Sequence, residues 1–213
     1  MRTQILRIAR AFSICFLLAM PRYVQAQISN ANLRVVNRVV SLDKSSKVVR
    51  LNEVDSVGIA WIVGEHFTEG DIEFDVKGID KYQGSFVGIA FHGADDRTYE
   101  AVYFRPFNFK ATDTLRKLHA IQYMSIPKFD WPVLRDRFPG KYEKAMASGI
   151  DPNGWFHVKL VIIAESLSIY INRSKVPVLQ TELLSQTEGE MIGYWVGNGS
   201  GGEWKNLKIK KRK

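Results

Sequence analysis

The stretch "GDIEFDVKG", Gly70 to Gly78, alternates without a slip. Ile72, Phe74 and Val76 fall on one side of an extended chain, and Asp71, Glu73, Asp75 and Lys77 on the other. Successive side chains of a strand point to opposite faces, so these residues predict a strand with one buried and one wet face. A helix would need apolar residues every three or four positions.

Similar segments recur along the chain. "KVVRLNEV", "SVGIAWIV", "SFVGIAFHG", "TYEAVYFRPF", "HAIQYMS", "WFHVKLVIIAE", "LSIYINRS", "MIGYWVGN" and "EWKNLKIKK" are short and rich in Val, Ile, Tyr, Phe and Trp. Gly78, Gly93 to Asp96, Asn153-Gly154 and Asn198-Gly199 supply turns between them. Short strands at this spacing predict an all-β sandwich or barrel. "KLVIIA" is apolar on both faces and reads as a central strand. Only "TDTLRKLH" and "VLRDRFPGKYEKAMAS" could hold a helical turn or short helix, which disfavours a parallel α/β architecture. The rhythm breaks between Phe107 and Gly154, where Pro, Trp, Tyr and Arg crowd in. A connection of that length is functional or disordered, and its aromatic content predicts an ordered loop packed on the sandwich.

The first 26 residues read as a secretory signal: Arg2, Arg7 and Arg10 without an acid, the apolar run Ala11 to Met20, then Val24-Gln25-Ala26 before Gln27. Ten apolar residues are too few to span a bilayer. The expectation is a secreted or periplasmic product with no integral membrane segment after cleavage, one domain over 27–209 and a basic tail at 210–213. The only cysteine, Cys15, lies in the signal, so the mature chain can form no disulfide or thiolate metal site. The net charge of +8 falls to +4 without the four Arg of the signal. The terminal "KIKKRK", Lys208 to Lys213, carries five of the remaining cations and reads as a solvated end. The body is then almost neutral, which argues against nucleic acid as a partner.

The second half of the chain carries a resemblance. "WFHVKLVIIAESLSIYINRSKVPVL", Trp155 to Leu179, looks like the W-x-x-V-x-V … V-Y-x-N strand pair of concanavalin A-like lectin/glucanase domains, and "GEMIGYWVGNGSGGEWKNLKI", Gly189 to Ile209, resembles their closing pair. Within that superfamily the pattern is closest to laminin-G-like modules and to the bacterial 3-keto-disaccharide hydrolase domain, whose Y-E-x-Q-I strand Tyr99-Glu100 resembles. The resemblance implies a jelly roll of two antiparallel sheets, one of which commonly carries a sugar site.

The glucanases of that superfamily use E-x-D-x-x-E or E-x-D-x-E, with the last carboxylate as acid/base. Here the series is Glu73, Asp75, Lys77, so an ammonium stands where the third carboxylate belongs. Glu73 and Asp75 therefore read as a wet strand face. A second set is better placed for carbohydrate. Tyr103, Arg105, Asn108, Gln122, Tyr123, Trp131, Arg135 and Tyr142 are candidate ligand-binding residues, and Glu100, Glu143 and His119 are candidate catalytic ones. Planar polar side chains grip hydroxyls in pairs, and aromatic rings give apolar platforms. His66, His92, His119 and His157 show no short metal-ligand spacing. Asp95 and Asp96 in "GADDRTYE" could supply oxygen to Ca2+, although a polar hairpin loop is the preferred reading, so no cofactor is expected. Gly197, Gly199 and Gly202 spell G-x-G-x-x-G, but a strand follows them where a dinucleotide site needs a helix.

Three functions follow as expectations: a carbohydrate-binding jelly-roll module; a glycoside hydrolase-like enzyme using Glu100 or Glu143 with His119 or Arg105 assisting; and a laminin-G-like adhesion module.

Overall fold

The computed structural model describes residues 32–184 and 189–212; the expected signal at 1–26 lies outside them. Two seven-stranded antiparallel sheets pack face to face. The first has the order β1 (Leu33–Val36), β4 (Gly58–Ile62), β13 (Met191–Val196), β6 (Val87–Gly93), β7 (Tyr99–Phe104), β8 (Ile121–Ile126), β9 (Glu143–Lys144). The second has the order β12 (Leu179–Glu182), β11 (Ser166–Ile171), β10 (Phe156–Ile163), β5 (Gly70–Lys77), β14 (Ser200–Lys211), β3 (Val48–Val54), β2 (Val40–Asp43). The fold is the two-sheet antiparallel jelly-roll sandwich that the resemblance implies, and it is one of the two architectures, sandwich or barrel, that the strand spacing predicts.

The core lies between the sheets. Ile72, Phe74 and Val76 are buried there, against Phe156, Val158 and Leu160 of β10. The Phe104 and Phe156 rings meet edge to face across the interface, with centroids 5.0 Å apart. Trp204 of β14 is fully buried, and its Nε1–H donates to the carbonyl of Gly88 in the opposite sheet at 3.0 Å. One hydrogen bond thus links the sheets in the middle of an apolar layer, where an unpaired indole N–H would be costly.

The outer faces differ. That of the second sheet is a ladder of charge with acidic β5 at its centre. Opposite each other on β5 and β14 stand Asp71 and Lys210, Glu73 and Lys208, Asp75 and Lys205, and Lys77 and Glu203. On the other side, Lys159 of β10 reaches both Asp71 (2.8 Å) and Glu73 (3.2 Å), and His157 meets Asp75 at 2.8 Å. A bulge between Lys205 and Lys208 keeps the lysines on the outer face while Leu207 turns in. Opposed charges directly across strands stabilise a sheet by roughly 0.2–1 kcal/mol per pair. The carboxylates of "GDIEFDVKG" are counter-charges to two basic strands. The expected boundary of the tail is corrected accordingly: β14 runs through Lys211, so Lys208 to Lys211 are sheet residues, with Lys208 and Lys210 opposite Glu73 and Asp71 on β5 and Lys211 paired with Glu65 at 3.2 Å.

The Phe107 to Gly154 segment is ordered. A 3-10 turn (Pro106–Asn108), α1 (Thr114–Leu118), β8, α2 (Trp131–Arg137) and β9 lie in or at its edge, and Leu134, Tyr142, Met146 and Ile150 are buried in the core. "TDTLRKLH" forms α1, capped by the Asp113 carboxylate on the Arg116 N–H. Of "VLRDRFPGKYEKAMAS", only the part through Arg137 is helical; Gly140 adopts φ +72°, a left-handed turn suited to glycine. Central β10 has one covered face only, its outer positions being partly exposed.

Phe74→Ala should lower the unfolding free energy by about 3–5 kcal/mol, whereas Glu73→Gln should cost under about 1 kcal/mol. Urea denaturation of both variants measures the contrast.

Candidate functional site

The candidate site lies at one end of the first sheet, beyond an aromatic row on its outer face. Small residues run down its middle: Gly88 and Ala90 on β6, Ala101 on β7, Gly193 on β13. They leave room for large rings to lie across the strands. Tyr103 packs on Trp195 with centroids 4.8 Å apart, Trp195 Nε1–H donates to the Tyr99 hydroxyl at 3.2 Å, and Tyr99 meets Trp61 edge to face at 6.0 Å. A Cβ on Gly88 would stand 2.8 Å from Tyr103 Cβ, so glycine is required where the rings cross. Trp61 Nε1–H in turn donates to Asp96 at 2.8 Å, and Arg34 pairs with the same carboxylate. Asp95 accepts from the Arg97 N–H at 2.7 Å. These two acids close a hairpin loop and anchor the aromatic row. Among the described residues, no three His, Cys, Asp or Glu side chains converge on a metal-sized position.

Beyond Tyr103 the chain leaves the sheet, and a cleft of about 390 Å3 opens. Arg105, Asn108, His119, Trp131 and Arg135, all expected from sequence, line it together with Tyr82, Gln83, Phe86, Phe107, Arg116 and Asn198. That volume lies in the usual range for small-molecule sites. Local structure places each group. Pro106 opens the 3-10 turn after Arg105 and brings Asn108 to the wall. The short helix α1 presents Arg116. Asp130 caps α2 through the Trp131 N–H at 2.7 Å, and residues four apart on a helix share a face, so Trp131 and Arg135 enter the cleft together. Arg135 stacks over the Trp131 ring at 4.7 Å, and Arg116 over Tyr82 at 4.6 Å. Both rings are substantially exposed, Trp131 at 41% and Tyr82 at 62%.

Arg105 is buried, at 4% exposure. Its Nη1 donates to the His119 carbonyl at 2.8 Å and its Nη2 to the Tyr103 hydroxyl, with the Gln122 amide oxygen at 3.5 Å. All three acceptors are neutral. Burial pulls the guanidinium below its ordinary pKa, and burial pushes the Tyr103 phenol up to about 12. Glu143 lies behind the cleft, buried, receiving the Arg135 Nε–H at 3.1 Å and the His119 Nδ1–H at 2.6 Å on the same oxygen. Gln122 is fully buried beneath Arg105 and donates to the Tyr123 and Tyr142 carbonyls. Tyr142 packs between Phe138 and Tyr123. Tyr103, Gln122, Tyr142 and Glu143 therefore support the cleft without lining it.

Glu100 and Tyr123 are not brought to the cleft. Both share a strand face with Phe104 and Val102, which point between the sheets. The Tyr123 hydroxyl donates to the Glu100 carboxylate, and His92 approaches it at 3.5 Å. Glu100 is fully buried. Neighbours in sequence, Glu100 and Tyr103 differ in face because three steps along a strand invert the side. That parity was available in "TYEAVYF". Tyr82, Phe86 and Arg116 escaped the sequence reading. An aromatic in the turn "KYQGS" was a signal for the first, but nothing local places Arg116 opposite it.

No protein-family model matches the chain, and no curated protein matches it by sequence. Solved structures do match its fold. The carbohydrate-binding module CBM66 from Bacillus subtilis superposes with a TM-score of 0.57 at 13% identity, over 84% of this chain and 96% of that one. The exoplasmic/lumenal domain of VIP36, in its Ca2+/Man3GlcNAc-bound form, gives a TM-score of 0.60 at 13% identity, over 88% and 86%. The Bacillus licheniformis β-glucanase gives 0.55 at 12% identity, over 90% and 98%. The sandwich is the concanavalin A-like fold. At these identities the likeness establishes architecture alone.

His119 is the imidazole on the cleft wall. Burial lowers its pKa from the ordinary 6.5; Arg135 pushes the same way, and Glu143 opposes both. The unfolded chain thus binds this proton at higher pH than the folded one. The stability from neutral His119 is complete above pH 6.5 and is lost as pH falls below it toward the folded value. The melting temperature should decline on acidification through that window, and His119→Gln should flatten part of the decline, as followed by thermal unfolding at stepped pH.

Proposed function

We propose that the protein is a secreted carbohydrate-binding module whose sugar site is the cleft between Tyr82, Arg105, Asn108 and Trp131. One observation carries the reading: two exposed aromatic rings stand at one cleft, each with an arginine stacked against it. Apolar platforms beside planar donors are what a sugar's C–H faces and paired hydroxyls require. A carbohydrate-binding module and a domain solved with Man3GlcNAc share the fold, which agrees with this use of it. The N-terminal signal pattern supports export. Among the described residues, no helix is long and apolar enough to cross a membrane.

A hydrolase needs two titratable groups converging on the reacting bond. Glu100 points into the sandwich, and Glu143 is bound on one oxygen by both Arg135 and His119. That arrangement favours binding over turnover.

Binding of the purified protein to a glycan array tests the proposal. Trp131→Ala and Tyr82→Ala should each weaken binding to the glycans retained by the parent by about tenfold, roughly 1.4 kcal/mol, with the melting temperature unchanged. Binding that survives both substitutions would place the site elsewhere.

A further inference from the structure

The cleft is electrically unbalanced. Three guanidinium groups line it and, among the described residues, no carboxylate does, while Glu143 behind the wall is already committed to Arg135 and His119. Among the described residues, no carboxylate lies within ion-pair distance of Arg105 or Arg116. Arg105 is held by neutral acceptors only. Arg116 reaches the Phe107 carbonyl at 3.3 Å through Nη2, while its Nε is buried without a hydrogen-bond partner among the described residues. A buried cation without a counter-charge is costly, and an incoming anion that pairs with it recovers that cost.

A bare anion would leave a second group unsatisfied. Asn108 donates its amide N–H to the His119 carbonyl at 3.4 Å, which orients the other end of the amide. Its Oδ1 is then buried without a partner among the described residues. That oxygen can only accept, so it calls for a hydrogen-bond donor. The same ligand should therefore carry an anionic group for the guanidinium ions and a donor close by, which on a saccharide is a ring hydroxyl.

Resting on the carbohydrate reading, we propose that the cleft recognises an acidic saccharide, with the anionic group of a uronate or sulfated sugar between Arg105 and Arg116 and a ring hydroxyl on Asn108. Arginine suits this role because its planar fork matches carboxylate and sulfate oxygens in pairs. The other basic surface, around Lys159, Lys175 and Lys208, fits less well, because Asp71 and Glu73 lie among its cations.

Isothermal titration of the purified protein with oligogalacturonate, its methyl ester, a sulfated galactan and a neutral galactan tests the proposal. An acidic oligosaccharide should bind about tenfold or more tightly than its neutral counterpart, and the preference should shrink as salt rises. Whether oligogalacturonate or the sulfated galactan binds better identifies the anionic group. Arg116→Gln, on an exposed helix, should abolish the preference, and Lys175→Gln should leave it intact. Equal binding of acidic and neutral sugars would overturn the inference and leave the carbohydrate reading standing. Failure of every saccharide to bind would overturn that reading itself. A preference that survives Arg116→Gln, or inorganic sulfate binding as well as the saccharides, would also overturn the proposal.

Discussion

The cleft depends on one buried cation. Arg105 stands where β7 ends, and its guanidinium ties that end to the His119 carbonyl ahead of β8 and to the Tyr103 hydroxyl. Its ring contacts, 4.7 Å to Tyr103 and 5.9 Å to Phe86, join it to the aromatic row on the sheet. The walls of the cleft radiate from this group: the turn bearing Asn108 begins directly after it, and the chain bearing Arg116 returns at His119. Holding a charge there without a carboxylate is unfavourable, so the cost must be met by the packing of the sandwich beneath.

The two outer faces show how one architecture separates scaffold from site. On the second sheet every charge on β5 faces an opposite charge on β14, and the result is a stable wet surface. On the first sheet the middle strands carry Gly and Ala, the spanning residues are Trp and Tyr, and the positive charge at the end of the row is left uncompensated. Charge balance suits the face of the second sheet to a scaffold, and the proposed ligand site lies where charge is unbalanced in an aromatic setting.

Sequence showed the fold well because period-two alternation is local. Ile72, Phe74 and Val76 announce their face without reference to any other strand. The strands it missed, β1, β2, β9 and β12, have four residues or fewer, too few to display a period. The site was partly legible, since Arg105, Asn108, His119, Trp131 and Arg135 do share a cleft. Glu100 and Tyr123 were misplaced because residue type was read without strand parity. Tyr82 lies in a turn and Arg116 on α1, 34 positions apart, and their stacking is a tertiary fact. The tail looked solvated because its lysines were read without the acids that face them on β5.

The most direct test of the central claim is the arginine Nε–H region of the NMR spectrum during titration with oligogalacturonate. The Arg105 and Arg116 signals and the Trp131 indole signal should shift together and saturate with one affinity, while those of Arg173 and Arg212, which lie beside Lys159 and Lys208 on the other basic surface, stay fixed. Shifts confined to Arg173 and Arg212, with the cleft signals unmoved, would contradict it.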